Sequence, residues 1–344
     1  MIRVLKIIVV ALLLSALSCS DYSRQREEVC LAAVGDVMLG RYIGKVMNTR
    51  GKHYPFDQVR ALLRKHDIVF GNLESGIAND TSAPFFPNKP YNFAASPIAA
   101  TVLKEAGFTV LSLANNHMLD FGPNEPAVTR SHLQKQGLSP FGAGKDISEA
   151  RQPVILTRNG VRFGFLGYGV AHSRAVYAQR SRAGIAPISM DDIRKDILAF
   201  RSQVDVLIVS LHWGIEYEKT PTRKQREEAH QIIDWGADMI IGHHPHVMQG
   251  IEIYKNKVIA YSLGNFVFDQ KGNGTDRSFI LACRFREKTL YSAEIIPLDR
   301  FRSYFPKVAE GDAKKDILKE LGNISITLHS QIPVQEFIMV NKNL

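Results

Sequence analysis

The chain predicts an α/β fold, and three observations carry that expectation. Short, continuously apolar runs alternate with segments whose apolar residues recur every three or four positions, the alternation of buried strands with amphipathic helices. The runs Val29–Val34, Ile68–Leu73, Thr109–Ala114, Val204–Leu211 and Met239–Ile241 are apolar almost throughout, as strands covered on both faces should be. The chain has 344 residues, of which 45% are hydrophobic and 22% charged, an ordinary globular balance that excludes fibrous and intrinsically disordered classes.

Helical spacing recurs over Phe56–Lys65, Ile98–Ala106, Glu125–Gln136, Asp191–Ser202 and Arg223–Trp235, and Pro55, Pro97 and Pro123 stand where helices would start. Two hairpins interrupt the pattern. Val154–Thr157 and Arg162–Leu166 flank Asn159-Gly160, a type I′ turn signal, and Ile251–Tyr254 and Val258–Leu263 flank Lys255-Asn256-Lys257. Phe279–Phe285 and Tyr291–Ile296 read as a closing hairpin, and Lys314–Leu321 as a short surface helix. With no fixed-period repeat and no low-complexity linker, the chain divides into a signal segment 1–18, a tether 19–28, one domain over 29–300 and a C-terminal extension 301–344.

The N-terminus has the form of a signal peptide. Arg3 and Lys6 precede the apolar run Ile7–Leu14, which is far shorter than the ~20 residues of a spanning helix. The run ends in Ser15-Ala16-Leu17-Ser18-Cys19, which resembles a bacterial lipobox and makes Cys19 the expected lipidation site, with enough acyl chains for stable membrane attachment. The net charge of +9 favours anionic partners. Cys30 and Cys283 lie in strand-like runs, where free buried thiols are the ordinary arrangement, although an oxidising compartment would permit them to pair.

Polar residues suited to metal binding follow the strand-like runs, at the strand ends where ligands gather in open α/β sheets. They are Asp36, Asn72 and Glu74, Asn115-Asn116-His117, His212, and His243-His244-Pro245-His246. Each has an ordinary alternative: Asp36 as a cap, Glu74 as a solvated acid, Asn116 and His117 as a satisfied loop pair, His212 as a packed imidazole beside Trp213. Together, oxygen donors and imidazoles on successive strand ends suit a borderline divalent ion such as Mn, Zn or Fe.

At these residues the chain resembles the bacterial CapA family of capsule-synthesis proteins linked to poly-γ-glutamate. The resemblance rests on Gly35-Asp36-Val37-Met38-Leu39-Gly40-Arg41, Gly71-Asn72-Leu73-Glu74, Ala114-Asn115-Asn116-His117-Met118-Leu119-Asp120, Leu211-His212-Trp213-Gly214-Ile215-Glu216-Tyr217, Gly242-His243-His244-Pro245-His246 and Ser262-Leu263-Gly264-Asn265-Phe266. It runs in order from Ala33 to Asp269. The family in turn resembles the calcineurin-like metallophosphoesterases, which implies a four-layered αββα sandwich over 29–300.

The resemblance implies one or two divalent ions held by Asp36, Glu74, Asn116, His212, His244 and His246, with His117 as the acid that protonates a leaving group. Met38 stands where the phosphoesterases place a histidine ligand, so one metal position loses a donor. Glu216 is a candidate base or orienter of His212, and Arg41 and Arg223 are candidate forks for an anionic substrate, each with the alternative of a solvated cation. Strand alternation predicts that His244 and His246 share a face while His243 turns away. The implied biology is a lipid-anchored envelope protein, facing the periplasm or exterior, that acts on an anionic capsule polymer beside capsule-synthesis membrane proteins and binds no nucleic acid. A metal-dependent envelope hydrolase and a non-catalytic polymer-binding module are the alternatives.

Overall fold

The computed structural model describes residues 28–82, 84–86, 88–300, 303–328 and 337–340; the signal segment and Cys19 lie outside them. A nine-stranded and a six-stranded sheet stack face to face with helices on both outer surfaces, the four αββα layers that the resemblance implies. The larger sheet has the order Lys307–Val308, Thr289–Asp299, Arg277–Arg286, Glu28–Val37, Ile68–Leu73, Val110–Ser112, Ser139–Phe141, with Asn265–Val267 also on Glu28–Val37 and Phe337–Met339 on Thr289–Asp299. The smaller runs Ile251–Tyr254, Lys257–Ala260, Met239–His243, Val206–His212, Val161–Gly169, Val154–Arg158.

Alternation along the strands builds three cores. Val29, Leu31, Ile68 and Phe70 of the larger sheet meet Phe163, Phe165, Ile208 and Ile241 of the smaller in the seam between them. Their neighbours Ala32, Val34 and Val69 face outward onto Ile43, Val102 and Leu103 of the helices Arg41–Arg50 and Ile98–Ala106. On the far side Leu207, Val209 and Ile240 pack against Ile193 and Ile197 of Met190–Phe200 and Ala229 and Ile232 of Arg223–Asp234.

Several elements depart from expectation for identifiable reasons. The helix Arg41–Arg50 gives little sequence signal, because it lacks a side-chain N-cap and contains Gly44. Phe56–Lys65 is not one helix but a 3-10 turn Tyr54–Phe56 followed by the single turn Arg60–Leu63; its spacing reports the buried face of Phe56, Val59 and Leu63, not a continuous helix. Both hairpin turns have two residues with positive φ, Asn159-Gly160 and Lys255-Asn256, so Lys257 belongs to the following strand. Cys30 and Cys283 are free, on neighbouring strands; burial raises the pKa of each thiol.

The described residues beyond 302 pack onto the same two sheets. The helix expected over Lys314–Leu321 spans Gly311–Ile326 and is no surface appendage: Ile317 and Leu321 enter the seam, and the Ser325 hydroxyl accepts from the Ile251 N–H at 3.0 Å. The strands Lys307–Val308 and Phe337–Met339 extend the larger sheet.

Two tests follow from this packing. Gly35 lies so close to the loop after Lys257–Ala260 that an added Cβ would fall 1.8 Å from the Gly264 carbonyl oxygen. Gly35→Ala is therefore expected to cost at least the roughly 1–3 kcal/mol of overpacking, read as a lower urea midpoint. Glu125 is buried and its pKa is pushed up to about 9, chiefly by burial, against a hydrogen bond from the Phe121 N–H at 2.7 Å that lowers it. Between its ordinary 4.5 and about 9 the folded chain keeps a proton that the unfolded chain has lost, so stability falls as pH rises through that window. Glu125→Gln should remove that slope, raising the melting temperature more at pH values near the top of the window than near its bottom.

Candidate metal centre

Strand alternation delivers most of the polar cluster to the seam. Along Val206–His212 the inward positions are Val206, Ile208, Ser210 and His212, and along Met239–His243 they are Met239, Ile241 and His243. In Ile68–Leu73 the series Ile68, Phe70 continues to Asn72. The register of the first strand shifts between Ala33 and Asp36, so Val34 and Val37 both face the outer helices and Asp36 faces the seam, level with Asn72 and Asn265 on either side.

The resulting centre is almost entirely buried: Asp36, Asn72, Glu74, His212, His243 and His246 are each no more than 3% exposed. The Asn72 amide donates to Asp36 Oδ1 at 2.8 Å and to Glu74 Oε2 at 3.3 Å, and its carbonyl accepts from Asn115 at 3.2 Å. Around it, His243 Nδ1 lies 3.2 Å from Asp36 Oδ1, and His246 Nδ1 lies 3.3 Å from Asp36 Oδ2 and 3.0 Å from Asn265 Oδ1. His212 Nε2 donates to Asn116 Oδ1 at 2.9 Å, and the His212 and His244 rings lie 4.7 Å apart.

Several polar atoms here have no hydrogen-bond partner: Asp36 Oδ2, Glu74 Oε1, both nitrogens of His243 and Nδ1 of His244. Buried donors and acceptors are ordinarily paired, so a concentration of orphans at one point fits a bound cation. Asp36, Glu74 and His246 each offer a ligand atom within 4.8 Å of the others, a spacing that one ion can bridge.

The electrostatics agree. Burial works to raise the Asp36 pKa, but the adjacent His243 and His246 imidazoles prevail and hold its carboxyl well below the usual range. Glu74 is pushed well above it by burial and by the charges of Asp36 and Glu216, an arrangement that a cation between the two carboxylates would relieve. Burial and neighbouring imidazoles lower the pKa of His212 and take His244 down to about 3, so both rings are neutral, the form that ligates.

His117 stands at the edge of this cluster in a setting of its own. Its Nδ1 donates to Asp120 Oδ2 at 2.6 Å, leaving Nε2 4.0 Å from Glu74 Oε1, and its ring stacks on Phe93 with centroids 3.9 Å apart. Lys89 donates to Asp120 Oδ1 at 2.5 Å and to the Asn116 carbonyl at 2.9 Å. Burial raises the Asp120 pKa to about 6 against the Lys89 charge, and burial followed by Lys89 lowers that of His117 well below its ordinary value. A cleft of about 470 Å³, lined by Lys89, Tyr91, His117, His172, Glu216 and His244, opens from the centre to solvent.

The structure thus brings together Asp36, Glu74, Asn116, His117, His212, His244 and His246, with Glu216 on the cleft wall. Three expectations require correction. His243 is not turned away: it is the last inward residue of its strand and meets Asp36, whereas His244 and His246 have φ of 97° and 59°, outside extended geometry, so alternation does not govern them. Arg41 is no free fork, since its guanidinium is held by Asp269 and covers the Phe93 ring at 4.8 Å. Arg223, with a side chain 90% exposed, pairs with Glu227 along its own helix and does not line the cleft. Met38 is buried in the outer core, where its sulfur accepts from the Gly40 N–H at 3.1 Å.

Sequence reasoning singled out neither Lys89 nor Asp120 for a role. Lys89 lies in a loop without periodicity, although Asp120 three residues after His117 is the kind of carboxylate that orients an imidazole.

A stacked pair of sheets with metal donors at the strand ends defines a class of protein, and comparison with known proteins specifies the family. The model of the bacterial capsule synthesis protein family PGA_cap matches residues 30–270, and the chain belongs to that family. It is 34% identical over 281 residues to the capsule biosynthesis protein CapA of Bacillus anthracis, covering 80% of this chain and 68% of that protein. It is also 34% identical over 288 residues to the PGA biosynthesis protein CapA of Bacillus subtilis, covering 83% and 74%. Among solved structures it is similar to a 5′-nucleotidase precursor from Thermus thermophilus, at 13% identity and a TM-score of 0.46 over 89% of this chain and 60% of that one.

The geometry sets a metal-content test. Asp36→Asn and His243→Ala are each expected to lower tightly bound Mn or Zn by tenfold or more, the roughly 10–100-fold range seen when groups around a metal are removed. Arg223→Ala should leave metal content unchanged. Elemental analysis of the purified variants decides, and full metal content in His243→Ala would remove that residue from the centre.

Proposed function

We propose that this protein is a lipid-anchored component of the cell envelope that acts in synthesis, export or anchoring of an anionic capsule polymer of the poly-γ-glutamate type, through a metal-dependent hydrolytic centre. Asp36, Glu74, Asn116, His212, His244 and His246, joined by His243, hold the ion. The observation that carries the reading is the group of orphaned buried donors beside the His117–Asp120 pair. A bound divalent ion supplies Lewis acidity and a water that ionises near neutral pH.

The chain's own groups supply the rest. Asp120 fixes the His117 ring so that an unprotonated Nε2 faces the centre, placed to take the proton released by the attacking water and pass it to the departing group of a phosphoester or γ-amide. The Lys89 ammonium neutralises Asp120 and adds positive charge at the cleft, where an anionic substrate enters. Glu216 faces the same cleft as a candidate base. The relatives named for capsule and PGA biosynthesis support the polymer, and the family supports the envelope location.

A second reading, a polymer-binding module without turnover, is favoured by Met38, which is buried away from the centre and supplies no ligand at the position where the phosphoesterases place a histidine.

In a strain lacking the gene, the wild-type protein is expected to restore surface polymer, while His117→Ala should restore less than about a hundredth of it, in line with the 10²–10⁴-fold contribution of general acids. Full restoration by His117→Ala would favour the binding module. No helix among the described residues is long and apolar enough to cross a membrane. Attachment through Cys19 is tested by fatty-acid labelling, which should mark the wild type and not Cys19→Ala; equal labelling of both would exclude the anchor.

A further inference from the structure

A second hollow adjoins the cleft, and its chemistry is different. It encloses about 360 Å³ and its walls are Phe85, Phe86, Pro90, Ser173 and Val176. Lys89, Pro90, Asn116 and His172 line both spaces, so the apolar hollow and the polar cleft are two arms of one opening, with the Lys89 ammonium at their junction. The Phe85 wall is tied to the candidate acid: the Phe85 N–H donates to the Asp120 carbonyl oxygen at 2.7 Å, and the Phe85 and Phe86 rings pack edge to face at 4.8 Å.

Exposure of large apolar side chains is concentrated at this opening. Of the nine such side chains among the described residues, Phe85, Tyr91 and Ile215 line the two arms at 46%, 62% and 55% exposure, and Tyr217 faces the His246 ring at 6.4 Å. Single exposed apolar residues are common on protein surfaces, whereas a cluster beside a charged centre marks a ligand with an apolar part.

We infer that the site takes an amphiphile, an anionic head group bearing a hydrocarbon chain, with the head at Lys89 and the metal donors and the chain in the hollow between Phe85 and Val176. The inference rests on the anion-processing role proposed for the centre and adds the class of molecule that carries the anion. A wholly hydrophilic polymer would leave the second arm empty of contacts, whereas a chain attached to the head group removes the half-exposed Phe85 and the exposed part of Phe86 from water at the moment of binding. Carboxylate and phosphate heads share this chemistry, and the two arms of the experiment separate them.

The test is calorimetric titration of the Mn-loaded full-length protein with n-alkyl phosphates from methyl to hexyl and, in parallel, with n-alkyl carboxylates. One or both series should tighten by roughly fourfold per methylene while the chain is being buried, and excess inorganic phosphate or acetate should displace the ligand. Phe85→Ala, a change at a half-exposed position, should weaken the hexyl ligand about fivefold or more and leave the methyl ligand unchanged. Affinity independent of chain length, with methyl phosphate or acetate still bound, would overturn the inference and leave the anion site standing. A slope insensitive to both Phe85→Ala and the competing anion would also overturn it, because the chain would then bind elsewhere. Failure of every head group to bind would remove the proposed function itself.

Discussion

Two carboxylates and four imidazoles buried together at the seam of two sheets form the constraint around which this molecule is arranged. Removing an ionised carboxylate from water costs several kcal/mol unless hydrogen bonds or an opposite charge replace the lost solvation. Asp36 has such partners in Asn72, His243 and His246, but Glu74 is driven toward its neutral form, and atoms of both acids remain unmatched. A divalent cation suits this set of oxygen and imidazole groups and would supply the partner that Asp36 Oδ2 and Glu74 Oε1 lack.

The architecture serves to hold that cluster rigidly. The donors sit on the ends of strands from both sheets, and the sheets are locked by the phenylalanine-rich seam below them. The bulge near Gly35 directs Asp36 inward, and the close approach of Gly35 to Gly264 brings Asn265 level with it to orient His246. Rigid positioning of this kind lets an ion or a reacting group be held without reorganisation when substrate arrives. The strands Lys307–Val308 and Phe337–Met339 and the helix Gly311–Ile326 are added to this scaffold and pack as part of it.

Around the centre the chemistry is graded. Inside lie the candidate ligands, with the His212 and His244 rings neutral; at the edge His117, held between Asp120 and the Phe93 ring, faces the cleft; outside, Lys89 stands where polar and apolar arms meet. Arg41 contributes to this order indirectly, as the cation covering Phe93, on which the His117 ring also stacks. Its bond to Asp269 makes it part of the wall and removes it from the groups free to meet substrate.

The sequence by itself determined the α/β class, most strands, the helix Ile98–Ala106 residue for residue, and the gathering of polar residues, Asp36, Glu74, Asn116, His212, His244 and His246 among them, at the strand ends. These are legible because burial on two faces, helical periodicity and polar residues at strand ends all leave local signals. Only the tertiary structure decided that His243 joins the centre, that Arg41 and Arg223 do not face the cleft, and that Lys89 and Asp120 flank His117. The reason is physical: where His243 points depends on which strand face meets the other sheet and on where extended geometry ends, both set by the packing of two sheets. A partner such as Lys89 comes from a loop whose path is fixed by contacts distant in sequence, which no local pattern records.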